Sequence, residues 1–154
     1  MRTLLMGIGN VLLSDDGIGV HVVRALEPLA SDGRVAVRDG GTLGLTLLNE
    51  LYDIDALIVV DAMQLDDAPG TVREFEAERM DAQLVGKRRS VHEVALADLL
   101  VAAALTRNTP MRRALVAVQP QSTAWGTTPT AAVDAAIPVA CRAVRALLDR
   151  WGVP

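Results

Sequence analysis

Cysteine, histidine and aromatic residues are all scarce in this chain of 154 residues. It contains one cysteine (Cys141), two histidines and only 3% aromatic residues. A single cysteine excludes an intramolecular disulfide framework, and its place in an apolar helical pattern indicates a buried, inert thiol. Because large aromatic side chains are so few, the core must be built from leucine, valine, isoleucine and alanine.

Long apolar runs and an excess of positive charge are also missing. No apolar run reaches the roughly 18 residues of a membrane span, and the N-terminus lacks the layout of a signal peptide, so we expect a cytoplasmic protein. The net charge of −4 argues against nucleic acid or an anionic membrane as partner. With 51% hydrophobic and 22% charged residues, the composition predicts one globular domain over residues 1–154.

Apolar strands alternate with amphipathic helices along most of the chain. The resulting order, β-α-β-α-β-β-α-β-α, predicts a three-layer α/β/α sandwich with a mostly parallel sheet. Alternating polarity in residues 71–77 indicates an edge strand, and the charged segment 78–89 is predicted as an irregular loop. The other predicted strands are 3–8, 34–38, 55–62 and 113–119, and the predicted helices are 17–29, 43–51, 91–105 and 129–151, the last capped by Thr128.

Polar residues collect where the predicted strands end. Open α/β sheets bind their ligands at the carboxyl ends of parallel strands, which meet along one edge. The residues expected on this rim are Asn10, Asp16, Asp39, Asp61 and Gln119. The rim therefore predicts a site with a surplus of carboxylates.

A histidine opens the helix predicted at 91–105. The segment "SVHE" fits a capping box in which Ser90 caps the helix and Glu93 reaches back. His92 then lies in the first turn, where the helix dipole favours a neutral imidazole. Two carboxylates, Asp16 and Asp61, with this imidazole form a reasonable set for a divalent metal, although their spacing is not a local motif.

Structural interpretations of the same residues remain open. Asp15 or Asp16 can be a helix N-cap with no other role, and Asp61 can simply form the turn after its strand. Glu93 can likewise be no more than a helix cap. Nucleotide binding is disfavoured: "GIGNVL" has Leu12 where a dinucleotide fingerprint needs its third glycine, and a pyrophosphate would meet carboxylates instead of free amides.

A set of motifs in a fixed order resembles the nickel–iron hydrogenase maturation endopeptidases. These motifs are "GIGNVLLSDDGIGVHVVRAL", "DGGTLGLTLL", "LIVVDAM" followed by "APGTV", "SVHEVALADLL" and "LVAVQPQS". Each is modest, but the ordered set covers essentially the whole chain. One departure is Asp16, since many members of the family carry the longer glutamate there.

The resemblance implies a phosphorylase/hydrolase-like fold with a five-stranded sheet and one antiparallel strand. It implies an aspartic-type endopeptidase that cuts a C-terminal extension from the hydrogenase large-subunit precursor after nickel insertion. The nickel is supplied by the precursor, and in the isolated protein the same site is either empty or able to hold another divalent cation. Asp16, Asp61 and His92 are the catalytic and metal-contacting positions. We further expect the substrate cleft to be lined by Asn10, Asp39, Gly40, Gly41 and Thr42.

Two alternative functions use the same residues differently. A metallohydrolase acting on small substrates would bind its metal tightly without any precursor. A non-cleaving escort protein would bind the hydrogenase precursor and leave its mass unchanged.

Overall fold

One five-stranded sheet organises the molecule. The computed structural model describes residues 1–41, 44–85 and 91–153, without the side chains of residues 44, 45, 91 and 92. The strand order is β2-β1-β3-β5-β4, and every pair is parallel except β4 with β5. The predicted α/β class, the edge position of β4 and its antiparallel direction are thereby confirmed. The strands are β1 (Thr3–Ile8), β2 (Val35–Gly41), β3 (Ala56–Ala62), β4 (Val72–Glu76) and β5 (Arg112–Val118).

Helices cover both faces of this sheet. Among the residues that the structure describes, three segments are 3₁₀ helices: Ser14–Gly17, Glu27–Asp32 and Gly44–Leu51. In the described part of the chain, no helix has the length and apolar character needed to cross a membrane. The α-helices are α1 (Ile18–Ala25), α2 (Glu78–Leu84), α3 (Val91–Leu105), α4 (Ala131–Asp134) and α5 (Ile137–Arg150).

The sheet separates two apolar cores because successive strand residues face opposite sides. In β3, Ile58 and Val60 pack with α1 and α5, whereas Leu57 and Val59 pack with α3 and the 3₁₀ helix at 44–51. All four residues are fully buried. This alternation decides which side of the sheet each polar residue at the strand ends will face.

Glycine lets α1 lie unusually close to the sheet. A Cβ at Gly19 would stand 2.1 Å from the Val60 carbonyl oxygen and 2.4 Å from that of Ile8. Both obstacles are backbone atoms in central strands, so they have no room to yield. The absence of a side chain at Gly19 therefore holds the first turn of α1 against the ends of β1 and β3.

The loop predicted over 78–89 is wrong in its first half. Residues 78–84 form α2, which buries Met80 and Leu84 against the sheet. These two residues stand four apart and so lie on one helix face, a signal that the surrounding charges obscure. Asp81 on this helix forms an ion pair with Arg113 of β5, with 3.0 Å between Oδ1 and Nε.

The helix predicted over 129–151 is two helices. Helix α4 ends at Asp134 and α5 begins at Ile137. Pro138 has no N–H to donate to the carbonyl of Asp134, so one continuous helix would lose a hydrogen bond there. The predicted cap at Thr128 is also wrong, because the residue that precedes α4 is Thr130.

Candidate functional site

Two buried aspartates meet at the carboxyl edge of the sheet. Asp61 is the penultimate residue of β3 and lies 1% exposed on the face that α3 covers. Asp16 lies in the 3₁₀ turn after β1 and is 8% exposed. The rule that parallel strands end at one edge correctly places these two carboxylates together.

Asp61 carries a carboxylate that is buried at the end of β3. Neither of its side-chain oxygens has a hydrogen-bond partner among the described residues. Burial raises the pKa of Asp61 well above its ordinary value, and the negative charges of Asp16 and Glu93 raise it further. The Ala62 amide lowers this pKa only in part. Such a carboxylate favours a proton or a cation.

Asp16 is held in place by the loop that precedes it. The backbone amide of Asn10 donates a hydrogen bond of 2.9 Å to Asp16 Oδ2. The chain turns back at Gly9, whose φ of 134° is unfavourable for a residue with a side chain. A Cβ there would also lie 1.9 Å from the Asp16 carbonyl oxygen. The glycine at position 9 thus lets this loop fold tightly against the acidic turn.

Asp15 has a different task from its neighbour. Its fully buried carboxylate accepts hydrogen bonds from the amides of Gln121, Ser122 and Thr130 at 2.8, 2.9 and 2.6 Å, and from the Thr130 hydroxyl. Burial alone would raise the pKa of Asp15, but these hydrogen bonds lower it below its ordinary value. Neither Asp15 nor Asp16 caps a helix, so the interpretation of these residues as N-caps is wrong.

Helix α3 returns the chain to the same edge. Its bounds, Val91–Leu105, are those predicted, and they place His92 in the first turn. The side chain of His92 and the proposed cap Ser90 lie outside the described residues. Glu93 is 3% exposed, and its charge acts on Asp61. The start of α3 therefore adds a third buried carboxylate to the site.

The described side chains do not complete a metal site by themselves. Apart from His92, no three histidine, cysteine, aspartate or glutamate side chains described here are grouped to hold an ion. A metal at this edge would thus need His92, ligands from a partner, or both. Cys141 offers no alternative nucleophile, because burial raises the pKa of its half-buried thiol.

Four of the five residues predicted to line the cleft lie in the described part of the chain. Gly41 accepts a hydrogen bond of 2.9 Å from the Gly9 amide, which joins the end of β2 and buried Gly40 to the loop of Asn10. One oxygen of the Asp39 carboxylate accepts a hydrogen bond of 3.1 Å from the Gly41 amide, and the other lies 3.0 Å from Arg24 of α1. Thr42 lies outside the described residues.

Gln119, also predicted on the rim, secures the loop after β3. Its Oε1 accepts a hydrogen bond of 2.7 Å from the Leu65 amide, and its Nε2 donates to Gln64 and to the Pro120 carbonyl. Gln119 is 4% exposed. These contacts assign it to the support of the rim rather than to its open face.

Comparisons with known proteins converge on one family. The family model of the hydrogenase maturation proteases matches residues 20–147. The hydrogenase 2 maturation protease of Escherichia coli K12 is 40% identical over 99% of this chain and 94% of that protein. The hydrogenase expression/formation protein HupD of Rhizobium leguminosarum bv. viciae is 35% identical over 99% of this chain and 76% of its own.

Solved structures show the same similarity. The hydrogenase-maturating endopeptidase HybD from E. coli superposes with a TM-score of 0.92 at 38% identity, over 99% of this chain and 94% of that one. A [NiFe] hydrogenase maturation protease HybD from Thermococcus kodakarensis gives 0.79 at 26% identity, over 96% and 99%. The five-stranded mixed sheet is therefore shared across nearly the whole chain.

Proposed function

The chain belongs to the hydrogenase maturation protease family, and from this premise we propose that it removes the C-terminal extension of a nickel–iron hydrogenase large-subunit precursor. The family is one of peptide hydrolases. The observation that carries the site assignment is the buried carboxylate of Asp61, which lacks donors among the described residues and lies beside Asp16.

Nickel enters this proposal as part of the substrate. The precursor brings its nickel to the rim, where Asp16, Asp61 and His92 contact it. Carboxylate and imidazole are suitable ligands for this ion, and a cation relieves the repulsion between Asp61 and its acidic neighbours. The three residues bind a loaded precursor more tightly than an empty one, so cleavage waits for nickel. A bound divalent ion can polarise the scissile carbonyl or lower the pKa of an attacking water.

The protein's own part in the reaction is to orient Asp16 and to hold the Asp61 carboxylate away from bulk water. The Asn10 amide fixes one oxygen of Asp16, and the tight turn at Gly9 keeps the loop in place. The burial of Asp61 makes it a strong partner for a cation, because charges interact more strongly away from water. The tail of the precursor lies along Asn10, Gly40 and Gly41, where backbone groups bind an extended segment.

Intact mass measurements on the precursor test this proposal. The protein is incubated with nickel-loaded and with nickel-free precursor. We expect loss of a C-terminal fragment only from the loaded form. Cleavage of neither form would refute the proposal. Binding without cleavage would favour an escort protein, and turnover of small substrates by a tightly bound metal would favour a metallohydrolase.

Substitutions at the rim test the site assignment. Asp16→Asn, Asp61→Asn and His92→Ala should each abolish cleavage while the protein stays folded. Asp98→Asn, at an exposed position of α3 six residues after His92, is the matched control, and this variant should cut at the normal rate. If all three rim variants stayed active, the assignment would be wrong.

A further inference from the structure

Two large apolar side chains are exposed beside the acidic turn. Trp125 is 82% exposed and Leu12 is 50% exposed. Backbone pairing brings them together: Leu13 and Gly126 form an isolated parallel bridge, so the residues before them, Leu12 and Trp125, are neighbours. We call these two side chains and the backbone between them the Trp125 surface.

The Trp125 surface is held rigidly to the site. The Gly126 amide donates to the Leu12 carbonyl, and the Ser14 amide donates to the Gly126 carbonyl, both at 2.9 Å. The Ser14 hydroxyl donates to the Ala124 carbonyl at 2.8 Å. The hydrogen bonds from Gln121, Ser122 and Thr130 to Asp15 fix both ends of the same loop. An exposed tryptophan on a loop so firmly anchored loses little entropy on binding.

The surface adjoins the backbone of the acidic turn in the proposed active site. Asp15, which anchors the loop of Trp125, is followed at once by Asp16. Leu12 lies in the same loop as Asn10, whose amide binds Asp16. A polypeptide bound along Asn10 would therefore lie near Leu12, and through the bridge of Leu13 with Gly126 near Trp125.

The chemistry of the surface selects an uncharged, apolar partner. The sequence has no charged residue between Arg2 and Asp15, or between Arg113 and Asp134. The two segments that build the surface both fall within these tracts, so it offers no ion pair to a charged tail or a lipid headgroup. Tryptophan is the residue most often found at energetic hot spots of protein interfaces.

We propose that the Trp125 surface docks an apolar segment of the precursor next to the bond that is cut. This inference rests on the proposed function, because it takes the hydrogenase precursor as the occupant. The surface acts independently of nickel. It contributes affinity for the polypeptide, whereas the rim carboxylates bind the nickel that the precursor carries. It is thus a determinant of which precursor the protease serves.

Steady-state kinetics on the nickel-loaded precursor test the docking role. Trp125→Ala should raise KM about 30-fold with kcat unchanged, as expected for a hot-spot residue that contacts substrate and transition state equally. Trp125→Phe should recover most of the loss, and Leu12→Ala should raise KM by a smaller factor. Leu105→Ala is the matched control, because Leu105 is 81% exposed at the end of α3, and its KM should stay normal.

Nickel-free precursor gives a second measurement that does not depend on turnover. It should inhibit cleavage competitively, and Trp125→Ala should raise its inhibition constant by the same factor as KM. An unchanged KM and an unchanged inhibition constant in Trp125→Ala would overturn the inference. It would also be overturned if the only effect of the substitution were that the protein no longer binds a second copy of itself. If the wild-type protein cuts no precursor, the proposed function fails, and direct titration of precursor binding still decides the docking role.

Discussion

Two buried aspartates at the same rim should respond to the same substitution with opposite changes in stability. Asp15 and Asp61 are both nearly inaccessible to solvent, at 0% and 1% exposure. Asparagine has almost the shape of aspartate but carries no charge. We expect Asp61→Asn to stabilise the metal-free protein and Asp15→Asn to destabilise it.

The gain at Asp61 follows from what its carboxylate lacks. A neutral polar group buried without a partner costs about 1–3 kcal/mol, and a charged one costs more. Asparagine still carries the neutral cost, so the substitution removes only the excess that comes from the charge. Asp16 and Glu93 add repulsion that asparagine does not feel. Removal of the charge should therefore raise the free energy of unfolding by about 1–3 kcal/mol at neutral pH. For a chain of this length, each kcal/mol raises Tm by about 2–4 °C.

The loss at Asp15 follows from what its carboxylate accepts. Oδ2 receives the amides of Gln121 and Ser122, and Oδ1 receives the amide of Thr130. Asparagine has only one acceptor oxygen, so its NH₂ group must face at least one of these donors. Hydrogen bonds to a charged group contribute about 1.5–3 kcal/mol each. We expect Asp15→Asn to lower the free energy of unfolding by about 2–4 kcal/mol.

The pH dependence of stability separates the two residues further. The pKa of Asp61 is raised in the folded state. The free energy of unfolding therefore falls once the pH exceeds the pKa of an unfolded aspartate, about 3.9. It falls by about 1.4 kcal/mol per pH unit until the folded-state pKa is reached. Asp61→Asn should remove this fall in stability. The folded-state pKa of Asp15 is lowered, so its contribution is present above about pH 4 and is lost as the pH falls through the folded value.

Urea denaturation from pH 4 to pH 8 with a metal chelator measures both effects. The wild-type protein, Asp61→Asn and Asp15→Asn are compared under identical conditions, and Asp98→Asn reports the effect of removing an exposed charge. A destabilised Asp61→Asn at pH 7 would refute the reasoning, because it would mean that side chains outside the described residues donate to Asp61. If Asp15→Asn left the free energy of unfolding unchanged, the anchoring role of Asp15 would be refuted.

Three further outcomes are expected. Gly19→Ala should lower the free energy of unfolding by about 3 kcal/mol, because its Cβ would meet the Val60 carbonyl oxygen; a loss below about 1 kcal/mol in urea would contradict the close packing of α1. Gln119→Leu should cost about 1–3 kcal/mol and speed hydrogen exchange at the Leu65 amide, and unchanged exchange there would refute its supporting role. Nickel or zinc added to the isolated protein should raise Tm in the wild type but not in Asp61→Asn. An equal rise in both proteins would show that the cation binds at a site without Asp61.

The long, largely apolar elements were predictable from the sequence, because their local signals agree with their tertiary environment. The bounds of α3 and the buried strand over 56–62 follow from such patterns. The proximity of Asp16 and Asp61 was predictable for a different reason: the topology of a parallel sheet brings its strand ends together. Their roles stay predictions, as does that of His92.

The parts that could not be predicted depend on contacts between distant segments. Asp15 binds amides 106 to 115 residues further along the chain, and no local pattern signals such a partner. The ion pair of Asp39 with Arg24 depends on how α1 packs beside β2. Helix α2 was missed for a simpler reason, since only Met80 and Leu84 carry its apolar face.

The adjacent aspartates explain how this fold tolerates an unfavourable site. A 3₁₀ turn rotates successive side chains by about 120°, so Asp15 and Asp16 point in different directions. Asp15 meets donors from the loop at 120–130 and contributes stability, whereas Asp16 faces Asp61 and adds to its repulsion. Functional sites commonly break the rules of stability that the rest of the chain obeys. Here the stabilising and the repelling carboxylate belong to consecutive residues of one turn. The hydrogen bonds of Asp15 that fix the turn therefore also hold Asp16 in position beside Asp61.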